Sequence, residues 1–517
     1  MDLHGRSIYD IAAVPFMSKK SASYELALPH PDPHVPAYQW LYEAVRFEIL
    51  GGRLRPGTRL PASRDLARQY GLARGTIVNA FDQLASEGYV EGSVGSGTYV
   101  SKVLPERLLH VASRKDEEPA IRKNSGRLVS AYGARARLFG TYENKPTRAF
   151  RSNLPALDLF PIALWTKITL RCLRRISQRQ LMGCDPLGHS PLRKAVAEYL
   201  SKSRGVRCVP EQIAIVSGVQ EALDLTARLL LNPGDRVCVE TPGYPGAILA
   251  FKALGARIIS AGVDEEGIEV RQLPTRGVRL VYVTPGHQFP LGTTMSLARR
   301  LQLLTWARKA GAIIFEDDYD SEYRYSGRPI PALQGLDSSG VVLYAGSFSK
   351  VLFPALRLGY VVVPFDLLRP FEAIQSLTLR HAPMLDQLVL TEFIVEGHFG
   401  RHLRRMREIY AERLSVLLEE AHRRLAGLLD ISSVEAGLQI VGWLCEGLDA
   451  ESVAMAAGQR NVDVTPLSRF RARKASAGLQ LGFAAVDVKE IRRGVQDLAI
   501  ALESEDKGVR KMTKKSR

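Results

Sequence analysis

Between residues 213 and 344, five short apolar runs each end in a loop of glycine, proline or polar residues, and no other feature limits the fold of this chain as tightly. The runs cover residues 213–216, 237–240, 280–283, 313–315 and 341–344. They are almost continuously apolar, the pattern of strands buried on both faces. Helical patterns stand between them, one opening after Ser217-Gly218 and running through Leu230, another over residues 297–310. Strands alternating with helices predict an α/β layer built on a mainly parallel sheet. Such sheets bind ligands at the carboxyl ends of their strands.

A chain of 517 residues exceeds what one hydrophobic core usually spans, so two or more domains are expected. The formal net charge of +16 calls for a polyanionic partner without saying which segment meets it. The five cysteines show no Cys-x-x-Cys spacing and read as reduced thiols of a cytoplasmic protein. No apolar run reaches membrane-spanning length, the N-terminus lacks the layout of a secretory signal, and His and Cys show no metal-ligand spacing. No membrane partner and no metal are expected.

Residues 1–35 carry several prolines and little periodicity and read as an N-terminal extension. The pattern changes over residues 36–102. Tyr38, Leu41, Val45 and Ile49 fall at helical spacing, and Gly51-Gly52 stops that helix. Ser63 is placed to cap a second helix that ends at Gly71, and a third helix over residues 73–87 presents Ile77, Ala80, Phe81 and Leu84. Two short strands then bracket a glycine-rich tip containing Gly95 and Gly97. This is a winged helix-turn-helix layout, mainly α. Arg64 opens the second helix, and Arg74 and Thr76 open the third, where a recognition helix meets bases and phosphates of double-stranded DNA. A glycine-rich wing tip can approach the DNA backbone closely.

Residues 103–149 form a basic linker: over residues 101–150, eleven Lys/Arg stand against five Asp/Glu, and the stretch is far longer than an ordinary connection. The α/β region follows over residues 150–502, and residues 503–517 are a basic tail.

The loops that close the five strands hold what an aromatic, phosphorylated aldehyde cofactor needs. Gly218, Val219 and Gln220 offer backbone N–H groups at a helix N-terminus, a ready phosphate site. Tyr244 can stack on a flat ring, Asp317 can hold a pyridine nitrogen protonated, and Tyr319 can reach a ring hydroxyl. Lys350 sits on an apolar, turn-rich segment after the strand at residues 341–344, where an amine's pKa falls and it becomes a nucleophile for a Schiff base. Ser347, Ser349 and Arg357 flank it with groups that suit a phosphate. Each has an ordinary structural alternative: Ser217-Gly218 a plain helix start, Tyr244 a core residue, Asp317 a cap, Lys350 a solvated lysine.

The stretch RLRPGTRLPASRDLARQYGLARGTIVNAFDQLASEGYVEGSVGSGTYV resembles the GntR family of bacterial regulators. The segments TPGHQFPLGTTMS, IIFEDDYDSEYRY and YAGSFSKVLFPALRLGY resemble fold-type I aminotransferases, and the combination is similar to the MocR subfamily of GntR regulators. The resemblance implies a multidomain chain: a winged helix-turn-helix fused to an aminotransferase-like domain with large and small parts, assembled as a head-to-tail homodimer. It implies pyridoxal 5'-phosphate on Lys350, Asp317 and Tyr319 as ring contacts, Tyr244 as the stacking aromatic, and Ser347 and Arg357 at the phosphate. His287 and Gln288 occupy the loop where ordinary aminotransferases carry an asparagine to the ring hydroxyl.

One departure bears on function. Aminotransferases commonly carry a C-terminal arginine that clamps the substrate carboxylate, and the matching residue here is Gln480, whose neutral amide cannot make that charged pair. Arg469, Arg471 and Arg473 lie just upstream as substitutes. The expected function is therefore a transcriptional regulator that senses an amine, an amino acid or the cofactor itself. The alternatives are an active aminotransferase with an appended DNA-binding module, and a cofactor-free domain kept for dimerisation.

Overall fold

A computed structural model describes residues 26–29, 35–93, 97–104, 128–140, 146–327, 331–431, 433–470 and 477–515. The chain divides into two compact units, Met1–Gly126 and Arg127–Arg517.

The first unit packs three helices, α1 (Ala37–Leu50), α2 (Ser63–Tyr70) and α3 (Arg74–Ser86), against a hairpin of β1 (Val90–Ser93) and β2 (Gly97–Val100). Leu41, Val45 and Ile49 of α1 are buried as their spacing predicts. Tyr38 is exposed, and Trp40 takes its place in the core, edge-on to Tyr70. Leu66, Ile77, Ala80, Phe81 and Leu84 complete that core. Ser63 does not cap α2: Ala62 holds the N-cap position and Ser63 is the first helical residue, its hydroxyl 3.5 Å from Arg74 Nε. The α2 helix ends at Gly71 in the left-handed conformation, as a C-terminal glycine should. Residues 57–60 run beside β2 through Gly57 N–H to Val100 O and Leu60 N–H to Thr98 O, both 2.8 Å.

The second unit is built on an eight-stranded sheet. In chain order the strands are β3 (Ile213–Val216), β4 (Arg236–Thr241), β5 (Arg257–Asp264), β6 (Gly267–Ile268), β7 (Val278–Val283), β8 (Ile313–Asp318), β9 (Val342–Ser347) and β10 (Gly359–Val362). They lie in the order β3-β10-β9-β8-β7-β4-β5-β6. The block from β9 through β5 is parallel, whereas β10 runs antiparallel to both β9 and β3. The sheet is mixed, and its parallel majority is what the apolar runs predict. Alternate residues feed different cores. Ala214, Val237, Leu280, Phe315, Leu343 and Val361 enter one, while Ile213, Cys238, Val281, Ile314, Val342 and Tyr360 enter those on the other face. Burial on both faces is why these strands read as continuous apolar segments.

A second sheet in this unit has four antiparallel strands in the order β11-β12-β14-β13: β11 (Leu429–Ile431), β12 (Gln439–Leu444), β13 (Thr465–Pro466) and β14 (Gly478–Gly482). Its Ile440, Leu479 and Leu481 join the core shared with the long helix His398–Arg424 and with Val488–Lys515.

The stretch expected to be linker is partly structured. A helix at Ala131–Ala136 packs within the second unit, with Arg135 Nε donating to Ala253 O at 3.0 Å and Arg228 lying over the Tyr132 ring. Gly95 lies outside the described residues.

Candidate functional site

Five strands of the large sheet present their carboxyl ends along one edge, and a cavity of about 380 Å³ opens there. After β3 come Gly218, Val219 and Gln220, after β4 Tyr244, at the end of β8 Asp317 and Tyr319, and after β9 Ser349 and Lys350; all line the cavity, as does Ser347 at the end of β9 itself. Arg357 reaches the same edge by a different route. It precedes β10, and because β10 is antiparallel, its first residue Gly359 pairs with both Ser347 and Val216, the last residues of β9 and β3. Asn153, Tyr282, Phe289 and Pro354 complete the wall.

One end of the cavity is suited to an anion. Gly218 precedes the helix Val219–Leu230, whose first-turn N–H groups have no intrahelical acceptor. Gly218 sits at φ 109, a conformation side-chain-bearing residues rarely adopt, and a Cβ there would lie 3.6 Å from the Arg357 guanidinium. The guanidinium therefore hangs over the helix start, beside the Ser347 hydroxyl that accepts from Ser349 N–H at 3.1 Å. Helix N–H groups, hydroxyls and an arginine converge on one spot.

The floor is carboxylate and amine. Asp317 is buried, and its Oδ2 accepts from the Tyr282 hydroxyl at 2.7 Å. Its Oδ1 is also buried and has no partner among the described residues. Burial raises the Asp317 pKa to about 7, against the Tyr282 hydrogen bond that lowers it. The Lys350 ammonium donates to Asn153 O at 2.7 Å. Burial brings its pKa down to about 8, although the charges of Asp320 and Asp317 pull the other way. Half of the amine is thus neutral near pH 8 rather than near the ordinary 10.5. The reaction of Lys350 with an added aldehyde is expected to speed up until about pH 8 and then level off. Borohydride trapping followed by peptide mass would measure it; a rate still climbing at pH 10 would identify an ordinary exposed lysine.

Tyr244 stands edge-on to Phe289, with ring centroids 5.7 Å apart, and burial raises its hydroxyl pKa to about 12. Two of the residues expected here lie behind the wall instead. Gln288 is buried, with its amide donating to Pro242 O at 2.9 Å, Phe289 O at 2.7 Å and Glu240 Oε2 at 3.2 Å, and accepting from Leu291 N–H at 3.1 Å. The buried Glu240, with pKa raised to about 7 by desolvation, draws that amide inward and leaves it nothing for the cavity. His287 faces Asp320, with Nδ1 3.0 Å from Oδ1 and 3.0 Å from the Tyr319 hydroxyl. It touches the site through Tyr319 rather than directly. Asn153, Tyr282, Asp320 and Gln439 belong to the site's support and were missed in the sequence; Gln439 Oε1 accepts from Asn153 N–H at 3.1 Å. Only Tyr282, a tyrosine inside an apolar strand, left a visible signal.

Of the arginines upstream of Gln480, Arg469 pairs at the surface with Glu451, Nη2 to Oε2 at 2.7 Å, and Arg471 and Arg473 lie outside the described residues.

In the first unit, Arg64 and Arg74 are exposed near the starts of α2 and α3, and Thr76 is half-buried within the first turn of α3. Gly97 sits at φ 113, where a Cβ would come within 2.9 Å of Arg59 Nε, so this corner of the hairpin requires glycine.

Comparison with known proteins covers both units. The family described as bacterial regulatory proteins, gntR family, matches residues 37–100, and the family described as aminotransferase class I and II matches residues 161–498. A probable rhizopine catabolism regulatory protein, MocR, of Rhizobium meliloti is 40% identical over 479 residues, 92% of this chain and 96% of its own length. The pyridoxine biosynthesis transcriptional regulator PdxR of Corynebacterium glutamicum is 30% identical over 92% of this chain and 97% of its own. Among solved structures, a multiple substrate aminotransferase from Thermococcus profundus superposes with a TM-score of 0.66 at 30% identity, covering 72% of this chain and 98% of that one.

Proposed function

The chain belongs to the aminotransferase class I and II family and to the MocR-like regulators of the gntR family, and on that premise we propose that it is a pyridoxal-phosphate-dependent transcriptional regulator that couples an amine signal to DNA. One observation carries the reading. A single chain holds a helix-turn-helix of the gntR type and a separate cavity in which an amine, a buried carboxylate and an anion cradle face one another. A plain transaminase has no use for the first, and a plain repressor none for the second.

The residues present fit pyridoxal phosphate. Bound there, the cofactor supplies an aldehyde that condenses with primary amines. The chain's own groups do the rest. The helix N–H groups of Val219 and Gln220, with Ser347, Ser349 and Arg357, would take the phosphate. Tyr244 would cover the ring, and the orphan Oδ1 of Asp317 would receive a proton-bearing ring nitrogen while Tyr282 holds the carboxylate in place. Tyr319, oriented by His287, would meet the ring hydroxyl. Lys350, whose amine burial makes easier to deprotonate and which Asn153 O holds in place, is the nucleophile.

An effector amine that competes with Lys350 would bias the arrangement of the two units, by no more than its difference in affinity for the two states. The effector is an amine, an amino acid or the cofactor itself, the assembly a homodimer, and the place of action the cytoplasm, where the DNA is. Transamination should be weak or absent, because Gln480 cannot clamp a carboxylate as an arginine does.

The DNA half of the reading is tested at α3. Arg74→Ala should cost about 1–3 kcal/mol of operator affinity and relax specificity if Arg74 reads a base, or lower the salt slope by about one if it holds a phosphate. Anisotropy titrations of full-length protein on promoter DNA across a salt series would show either. Unchanged affinity and slope would mean that α3 does not face the DNA.

A further inference from the structure

Asp320 is buried and is not among the residues lining the cavity, yet it decides what one of the cavity's hydroxyls can do. It faces the buried His287 with both carboxylate oxygens, Oδ1 3.0 Å and Oδ2 3.1 Å from Nδ1. The Tyr319 hydroxyl stands 3.0 Å from that same nitrogen. In a neutral imidazole, Nδ1 offers these oxygens either one proton or one lone pair. The surroundings choose the proton. A lone pair there would set acceptor against acceptor, because the carboxylate oxygens can only accept, Oδ2 already taking Leu438 N–H at 3.2 Å. The other ring nitrogen, Nε2, is buried with no partner among the described residues, so a proton placed on it would be stranded. Nor is there room for the ring to turn: a Cβ on Gly437 would lie 2.0 Å from His287 Cε1. His287 therefore carries its proton on Nδ1 and donates it to Asp320. A nitrogen that donates has nothing left to accept with, so the Tyr319 O–H cannot be spent on His287.

We propose that Asp320 is a positioning residue: by fixing the proton on His287 Nδ1, it makes Tyr319 a hydrogen-bond donor toward the cavity that Tyr319 lines. The ligand this selects is an aromatic aldehyde whose ring carries an acceptor oxygen, above all an ionised ring hydroxyl. The inference rests on the reading that pyridoxal phosphate sits here with its ring hydroxyl at Tyr319. Asp320→Asn would undo the arrangement with almost no change of shape. Leu438 N–H would still claim the amide oxygen, so the new NH2 would face Nδ1 and require a lone pair there. His287 would then be an acceptor, and Tyr319 could turn its hydrogen inward.

The experiment is equilibrium dialysis of the full-length protein with pyridoxal 5'-phosphate and with 3-deoxypyridoxal 5'-phosphate, which keeps the aldehyde and phosphate and lacks only the ring hydroxyl. Wild type should bind the first more tightly by about tenfold or more, the effect of one hydrogen bond to a charged group. Asp320→Asn, checked for folding by thermal melting, should shrink that preference by about threefold or more, weakening the first ligand and sparing the second. Tyr319→Phe should shrink it at least as far, and the double variant should lose no more than Tyr319→Phe alone. A carboxylate that merely props the fold would weaken both ligands together when replaced. That result, a wild type indifferent to the ring hydroxyl, or additive losses in the double variant would overturn the proposal. A measurement on wild type alone covers the case in which Asp320→Asn does not fold. Nitrogen-15 spectra of labelled histidines should show His287, identified by the signal lost in His287→Gln, protonated at Nδ1, and a proton on Nε2 alone would overturn the proposal too. A wild type that binds neither aldehyde would instead remove the cofactor reading beneath it.

Discussion

Lys350→Ala is expected to abolish covalent retention of pyridoxal phosphate and every response to amines, with DNA binding left in place. Among the described residues lining the cavity, Lys350 alone carries a primary amine, so nothing there can replace it. The fold should tolerate the change: the ammonium is held in an environment that depresses its pKa to about 8, so at neutral pH its charge is a burden on the native state that alanine removes. The helix-turn-helix has its own core, from Leu41 to Leu84, in the other unit. After treatment with cofactor and borohydride, wild type should carry the added mass on the Lys350 peptide and the variant should carry none anywhere. A variant that still fixes the cofactor would move the reactive amine elsewhere.

Asp317→Ala should produce the next largest effect, on cofactor affinity. In the cavity Asp317 has one oxygen held by Tyr282 and the other without a partner among the described residues, and burial already presses its pKa up to about 7. A cationic ring N–H opposite Oδ1 would relieve that pressure, and removing one member of such a buried pair costs about 3–5 kcal/mol. Affinity should fall roughly a hundred- to several thousand-fold. Asp317→Asn keeps the shape and an acceptor for Tyr282 but no charge, and should fall between the two. Equilibrium dialysis of the three proteins, with Lys350 intact in each, would measure this. Equal affinity in all three would show that the carboxylate faces no cationic group.

Much of this architecture was legible because chemistry and burial coincide in sequence. Val216, Thr241, Asp318 and Ser347 end strands buried on both faces, and the polar residues that follow each one fall on a single edge by the geometry of parallel pairing. Arg357 is legible as a group suited to a phosphate, but how it arrives is not, since nothing local announces that β10 runs backwards. Asn153 and Gln439 lie 286 residues apart and meet only through tertiary packing, so no spacing could reveal them. The loop with His287 and Gln288 matches the one in which ordinary aminotransferases carry an asparagine to the ring hydroxyl, and that resemblance implies two ligand-facing residues. A buried carboxylate, Glu240, and the Asp320 side chain turned both inward. In the first unit the helical spacing was sound, and the errors were at termini. Ser63 enters α2 because Ala62 already holds the extended backbone of a cap. Arg135 made part of the basic linker structural by reaching the Ala253 carbonyl, a contact that composition cannot foresee.

The central claim is that the amine site and the DNA site are coupled, and the direct test is one affinity measured in several states. Full-length protein would be titrated onto labelled promoter DNA from upstream of its own coding sequence, first without cofactor, then loaded, then loaded with L-valinol, and each state repeated with Lys350→Ala. A coupled regulator should change its DNA dissociation constant by about 5- to 150-fold between at least two of those states. The variant should show one affinity throughout. A wild-type dissociation constant that is the same in all three states, alongside sustained turnover of an amino acid with a keto acid, would contradict the account and identify a working transaminase that merely carries a DNA-binding module.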